Sequence, residues 1–207
     1  MDVSTLIAAL DLVGIFVFAV TGAIAGQRRG ADVFGSLVLA FVTATAGGLL
    51  RDLILDMPPV AFAGWLPLAV SVVAGLLTFF LPWLLDRLHH AVQLFDALGL
   101  GLFAATGAVM GLDHGLDPVM AAVLGMISGI GGGVLRDVLT GEIPMVLRAQ
   151  IYALAALAGA AVVVAGVSLG APQPVMILVG TGLCVALRVT AIYRDWNLPR
   201  ADRNQRR

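Results

Sequence analysis

Apolar residues run along this chain in seven long stretches, near residues 5–26, 33–55, 62–84, 91–111, 118–139, 149–169 and 173–193. Short polar punctuation separates them, at 27–32, 56–59, 86–90, 113–117, 141–148 and 170–174. A helix of about 20 residues crosses the hydrocarbon core of a bilayer, so each stretch predicts one transmembrane helix. The connections are too short to hold a soluble catalytic domain. Function is therefore expected among the helices. The first stretch predicts a retained span: Asp2 follows Met1, no Lys or Arg precedes Arg28, and Asp11 interrupts the apolar run. A cleaved leader has instead a basic start and a small-residue cleavage site.

Shifting the sequence by 85 residues lays 11–59 over 96–144 without a gap, and 18 of those 49 positions match. Leu, Val and Ala coincidences are expected from an apolar chain. Aligned Asp11/Asp96, Thr21/Thr106, Gly22/Gly107, Gly26/Gly111, Asp32/Asp117, Arg51/Arg136, Asp52/Asp137 and Pro59/Pro144 are not. The chain therefore reads as two repeats, about 5–84 and about 91–169, with the seventh span, about 173–193, outside them. Three spans per repeat is an odd number, so the second repeat is expected to enter the membrane from the opposite side. The predicted fold is an all-α polytopic membrane protein of seven helices, two inverted three-helix repeats plus one, forming a single transmembrane domain over 1–193. Inverted repeats place permeation or substrate sites at their interface, which favours transport over a purely structural role.

Composition sharpens this picture. Of 207 residues 60% are apolar and only 12% charged, against about 25% charged in soluble domains, so most of the surface faces lipid. A net charge of −1 without a basic groove excludes nucleic acid as a partner. Cys184 stands alone, cannot form an internal disulfide, and is expected as a small buried apolar residue. Arginines fall on one side: Arg28, Arg29, Arg87, Arg148 and the 194–207 tail with Arg194, Arg200, Arg203, Arg206 and Arg207, against Arg51 alone opposite. The positive-inside rule then predicts a cell (inner) membrane protein with its N-terminus outside and its C-terminus cytoplasmic. The basic tail acts as a topology determinant or lies on anionic lipid headgroups.

The polar chemistry gathers at the end of each repeat's second span, in the phrases Gly47-Gly48-Leu49-Leu50-Arg51-Asp52 and Gly132-Gly133-Val134-Leu135-Arg136-Asp137. Glycines at this density permit a kink, an unwound turn or the close approach of another helix. Arg51 and Arg136 lie about one turn inside their spans, where an unpaired charge is costly. They either snorkel to headgroups or pair within the bundle, and the spacing predicts the pairs Asp11–Arg51 and Asp96–Arg136. Asp52 and Asp137 should point about 100° away from the arginines, toward helix termini or cations at the mouths. Thr21, Thr43, Thr45, Thr106 and Ser128 offer hydroxyls that replace water around an ion or bond their own backbone. His89, His90 and His114 form no metal-ligand set, and no H-E-x-x-H, G-x-S-x-G or Walker phrase is present. No cofactor, metal site or enzymatic activity is expected.

The doubled Gly-Gly-x-x-Arg-Asp phrase, with a seventh span and a basic tail, resembles the prokaryotic trimeric intracellular cation (TRIC) channel family, whose bacterial members are also catalogued with a glycine-transporter domain. The resemblance implies a homotrimer with one pore per protomer, passing potassium and sodium with a preference for potassium. It implies a pore between broken helices 2 and 5, with hinges at Gly47, Gly48, Gly132 and Gly133 and polar pairs Arg51–Asp52 and Arg136–Asp137. Animal members use a Lys-Glu type phrase at Arg136-Asp137 to bind phosphoinositide; this chain has no lysine. A carrier for a small zwitterion such as glycine is the alternative that inverted repeats also support.

Overall fold

The computed structural model describes residues 3–81, 91–148 and 151–194. Arg87, His89, His90 and the tail beyond Arg194 lie outside the described residues. The elements are α1 (Val3–Arg28), α2 (Val33–Ile54), a 3-10 turn (Val60–Phe62), α3 (Leu66–Phe80), α4 (Ala91–Asp113), α5 (Pro118–Leu139), α6 (Met145–Arg148), α7 (Tyr152–Ser168) and α8 (Gln173–Tyr193). No strand occurs among the described residues.

Five helices, α1, α2, α4, α5 and α8, are long and apolar enough to cross a membrane. The other two expected spans are shorter than their apolar stretches, α3 at 15 residues and α7 at 17. Fifteen helical residues extend about 22 Å, short of the roughly 30 Å core. The reason is local. Before α3, Pro58, Pro59 and the 3-10 turn take up the chain, and Pro67 sits in the first helical turn, where its missing N–H and fixed φ are tolerated. Before α7, Met145–Arg148 winds as a separate turn.

Residues shared by the two repeats form the same stop and start. Gly30 and Gly115 have φ of +75° and +79°, a left-handed backbone that glycine adopts without strain. The chain folds back through Ala31 N to Gly26 O and Leu116 N to Gly111 O, at 3.0 and 2.9 Å. Asp32 then caps α2 by accepting from Gly35 N at 2.7 Å, and Asp117 caps α5 by accepting from Val119 N at 2.9 Å. Each cap satisfies a helix-end amide that would otherwise lack a partner.

Within the bundle α1 packs on α2 and α3, while α4 packs on α5, α7 and α8. The two groups meet where α1 lies against α4 and α2 against α5. One apolar cluster gathers Ile15, Phe18, Ala44, Ala74 and Phe103, and a second gathers Val109, Ala121, Ala160 and Ile177. At the seam, equivalent residues touch. Phe18 and Phe103 stack with centroids 5.6 Å apart and planes 9° from parallel, and Gly14 faces the Phe103 ring as Gly99 faces Phe18.

Candidate functional site

The two arginines are the largest fully buried side chains in the described structure, and each has partners. Arg51 Nη1 lies 3.0 Å from Asp11 Oδ2, and Arg51 Nε donates to Asp52 Oδ1 at 2.8 Å. Arg136 Nη1 donates to Asp96 Oδ1 at 2.7 Å, and Arg136 Nε donates to Asp137 Oδ1 at 2.9 Å. Both expected pairs form. Asp52 and Asp137 reach helix termini with one oxygen, as expected, and turn the other back onto the neighbouring guanidinium instead of facing wholly away from it. Their second oxygens accept from the backbone, Asp52 Oδ2 from Val60 N at 2.8 Å and Asp137 Oδ2 from Met145 N at 2.7 Å. Val60 and Met145 are themselves 85 apart. Each triad thus ties the second helix of its repeat both to the first helix and to the loop that follows.

Hydroxyls from the opposite repeat complete each triad. Thr106 donates to Asp11 Oδ1 at 3.3 Å and to Leu102 O at 3.0 Å. Arg136 Nη1 donates to Thr21 Oγ1 at 3.1 Å, while Thr21 itself donates to Phe18 O at 2.9 Å. Asp11 and Thr21 are ten residues, about 15 Å, apart along α1, as are Asp96 and Thr106 along α4. The Arg51 triad therefore meets the start of α1 and the end of α4, and the Arg136 triad the reverse. Only antiparallel α1 and α4 allow that. The triads stand at two levels with the Phe18–Phe103 stack between them.

Gly47, Gly48, Gly132 and Gly133 work by proximity. Both α2 and α5 are helical without interruption through them, so the implied breaks are absent in this conformation. A Cβ on Gly47 would overlap the Ser128 carbonyl oxygen, and one on Gly132 the Thr43 carbonyl oxygen. Gly131 would meet Gly47 Cα at 2.9 Å. Gly48 leaves ordinary room beside Phe103 and Arg51, whereas a Cβ on Gly133 would collide with the Tyr152 hydroxyl and crowd Asp96. The backbones of α2 and α5 touch because these positions lack side chains. Thr43 and Ser128 are fully buried at this crossing and their hydroxyls have no hydrogen-bond partner. Thr45 instead donates to Phe41 O at 2.8 Å.

The two faces of the crossing differ. Outside it runs an apolar groove of about 550 Å³ whose walls include Phe41, Leu49, Ile127, Ile130 and Val134. No ion would exchange its hydration for that lining. At the Arg136 end a polar pocket of about 240 Å³ reaches Arg136 and Asp137 past Arg28, Arg29, Gln93 and Glu142. At the Arg51 end the pocket beside Asp11 and Ala61 holds about 10 Å³, room for roughly one water. Over the larger pocket, Glu142 accepts from Arg29 at 2.6 Å and from Arg148 at 2.7 Å. Those hydrogen bonds hold its carboxyl below the usual carboxylate value.

Sequence reasoning missed three participants. Tyr152 and Arg188 are buried beside the second triad. Arg188 lies within the last apolar stretch, so a charge inside an apolar span was the available signal; no 85-residue counterpart drew attention to it. Glu142 had no such signal, because its role depends on two loops meeting. Among the described residues no three His, Cys, Asp or Glu side chains gather to hold a metal.

A family model described as glycine transporter matches residues 8–83 and again 93–168. The UPF0126 inner membrane protein YadS of Escherichia coli (strain K12) is 37% identical over 92% of this chain and 93% of its own. A UPF0126 membrane protein of Deinococcus radiodurans is 42% identical over 74% of this chain and 73% of its own. The chain belongs to the TRIC/UPF0126 family. Among solved structures, a TRIC trimeric intracellular cation channel orthologue from Rhodobacter sphaeroides superposes with a TM-score of 0.88 at 35% identity. That match covers 93% of this chain and all of the other. TRIC members are membrane channels rather than enzymes, and this chain is accordingly an all-helical, multi-pass membrane protein.

Proposed function

We propose that the chain is a monovalent cation channel, preferring potassium over sodium, with one ion route in each protomer of a homotrimer. The observation that carries this reading is the charge of the two triads. Each sets two carboxylates against one guanidinium, so each keeps one formal negative charge in a low-dielectric setting. Where no further buried charge offsets that excess, as at the Arg51 triad, a cation is attracted and an anion repelled. The route runs on the inner side of the α2–α5 crossing, from one triad to the other, past the Thr43 and Ser128 hydroxyls. In the conformation described it is shut where Gly47 and Gly132 touch the facing backbone, and it opens when α2 and α5 separate or kink at Gly47, Gly48, Gly132 and Gly133. The protein lies in the cell membrane with its N-terminus outside, the Arg136 mouth and the basic tail cytoplasmic, and the tail against anionic lipid.

Purified protein in a planar bilayer under a potassium chloride gradient tests this reading. Unitary currents reversing near the potassium equilibrium potential are expected. The second reading, a carrier for a glycine-like zwitterion, draws on the description of the matching family model. Saturable glycine uptake without unitary currents would establish it instead.

A further inference from the structure

Arg188 is a buried charge that the repeats do not account for. It is 3% exposed on α8, within about two turns of that helix's end. No carboxylate among the described residues lies within ion-pair distance of it. Its guanidinium carbon sits 4.9 Å above the centre of the Tyr152 ring, Nη2 points at the Met145 sulfur at 3.4 Å, and Nε has no partner. Tyr152 is fully buried. Its hydroxyl lies against Gly133, where a Cβ would stand 2.5 Å from that hydroxyl and 3.2 Å from Asp96 Oδ1. Arg188, Tyr152, Asp96 and Arg136 therefore occupy one layer of the molecule.

Nothing equivalent exists at the other triad. The position 85 residues before Tyr152 is Pro67, and α8 belongs to neither repeat. Asp11, Arg51 and Asp52 carry a formal charge of −1, and so do Asp96, Arg136 and Asp137; Arg188 cancels the second and leaves the first. Exposed Arg28, Arg29, Arg148 and Glu142 also sit at that mouth, but salt screens exposed charges far more than buried ones.

We propose that Arg188, braced on the Tyr152 ring, makes the two halves of the route electrically unequal, so that cations enter more readily from the Arg51 mouth than from the Arg136 mouth. This rests on the channel reading above. Fixed negative charge at an entrance raises the local cation concentration there; the Arg51 triad does this and the compensated Arg136 layer does not.

Single-channel currents in symmetrical potassium chloride test it through the ratio of the larger to the smaller current at equal and opposite voltages. That ratio does not depend on how the protein inserts. The wild type is expected to rectify. R188M and R188Q are expected to bring the ratio to one by increasing the weaker current, while R188K keeps the charge and the rectification. R188Q retains a donor for the Met145 sulfur and covers the case in which R188M does not assemble. A linear wild type, or neutral variants that conduct with the wild-type ratio, overturns the inference. A wild type without unitary currents overturns the channel reading itself, a separate result.

Discussion

Arg51 and Arg136 are each held by carboxylates on two sides, and the cost of removing one side sets the first prediction. Taking away a single partner of a buried pair leaves an uncompensated charge and costs about 3–5 kcal/mol. Asp96→Asn leaves Arg136 and Arg188 against Asp137 alone and is expected to lose stability on that scale. Asp11→Asn leaves Arg51 neutralised by Asp52 and should cost only a charge-assisted hydrogen bond, about 1.5–3 kcal/mol. Both are read as falls in thermal midpoint in detergent. Wild-type midpoints in both variants would mean that Asp52 and Asp137 alone support the arginines. Glu142 behaves differently because it is exposed. Its carboxyl titrates below the ordinary value of 4.5, so its link to Arg29 and Arg148 is intact above that value and is lost as pH falls through the lower, folded-state value. The contribution is that of a surface pair, up to about 1 kcal/mol. Glu142→Gln should therefore remove a small acid-side loss of stability at low salt and change nothing at neutral pH in high salt, as followed by thermal melts across pH. The Asp11 and Asp96 pairings were legible in the sequence because the same acid and the same arginine recur 85 residues apart. Arg188 was not, since it has no repeat partner and lies close enough to a helix end to pass for a snorkelling side chain.

At the scale of elements, the sequence announced the glycines without saying how they are used. A kink and a close crossing both require a missing Cβ, and no spacing rule separates them. In this structure α2 and α5 stay continuous and the glycines let their backbones meet. Gly132→Ala forces a methyl into the Thr43 carbonyl and should cost about 1–3 kcal/mol, the range for overpacking. Gly182→Ala on α8 is the control: a Cβ there meets nothing within 4 Å, and helix propensity favours Ala by about 1 kcal/mol. Comparison of the two melting curves checks the assignment. Similar shifts in both would show that the crossing has room to spare. Helix lengths were only partly legible. The apolar stretches 62–84 and 149–169 suggested full spans, yet Pro58, Pro59 and the separate Met145–Arg148 turn delay α3 and α7, and hydropathy does not register where backbone hydrogen bonding begins.

For the molecule as a whole, inversion of the repeats explains why residues 85 apart meet across a seam. Phe18 stacks on Phe103, Gly47 and Gly132 take the same role on opposite helices, and each triad borrows its threonine from the other repeat. The symmetry was readable from the duplicated sequence and the odd number of spans; the departure from it at Tyr152 and Arg188 was not, because it comes from a helix outside the repeats. The proposed ion route lies on the inner side of the α2–α5 crossing, between the triads. Its most direct test is cysteine accessibility in a Cys184→Ala background, with a small cationic thiol reagent applied to Thr43→Cys, Ser128→Cys and Ile127→Cys during bilayer recording. Modification at Thr43→Cys and Ser128→Cys is expected to reduce the unitary current, while Ile127→Cys, in the apolar groove, is indifferent. Block at Ile127→Cys with no effect at the two hydroxyl positions would contradict it.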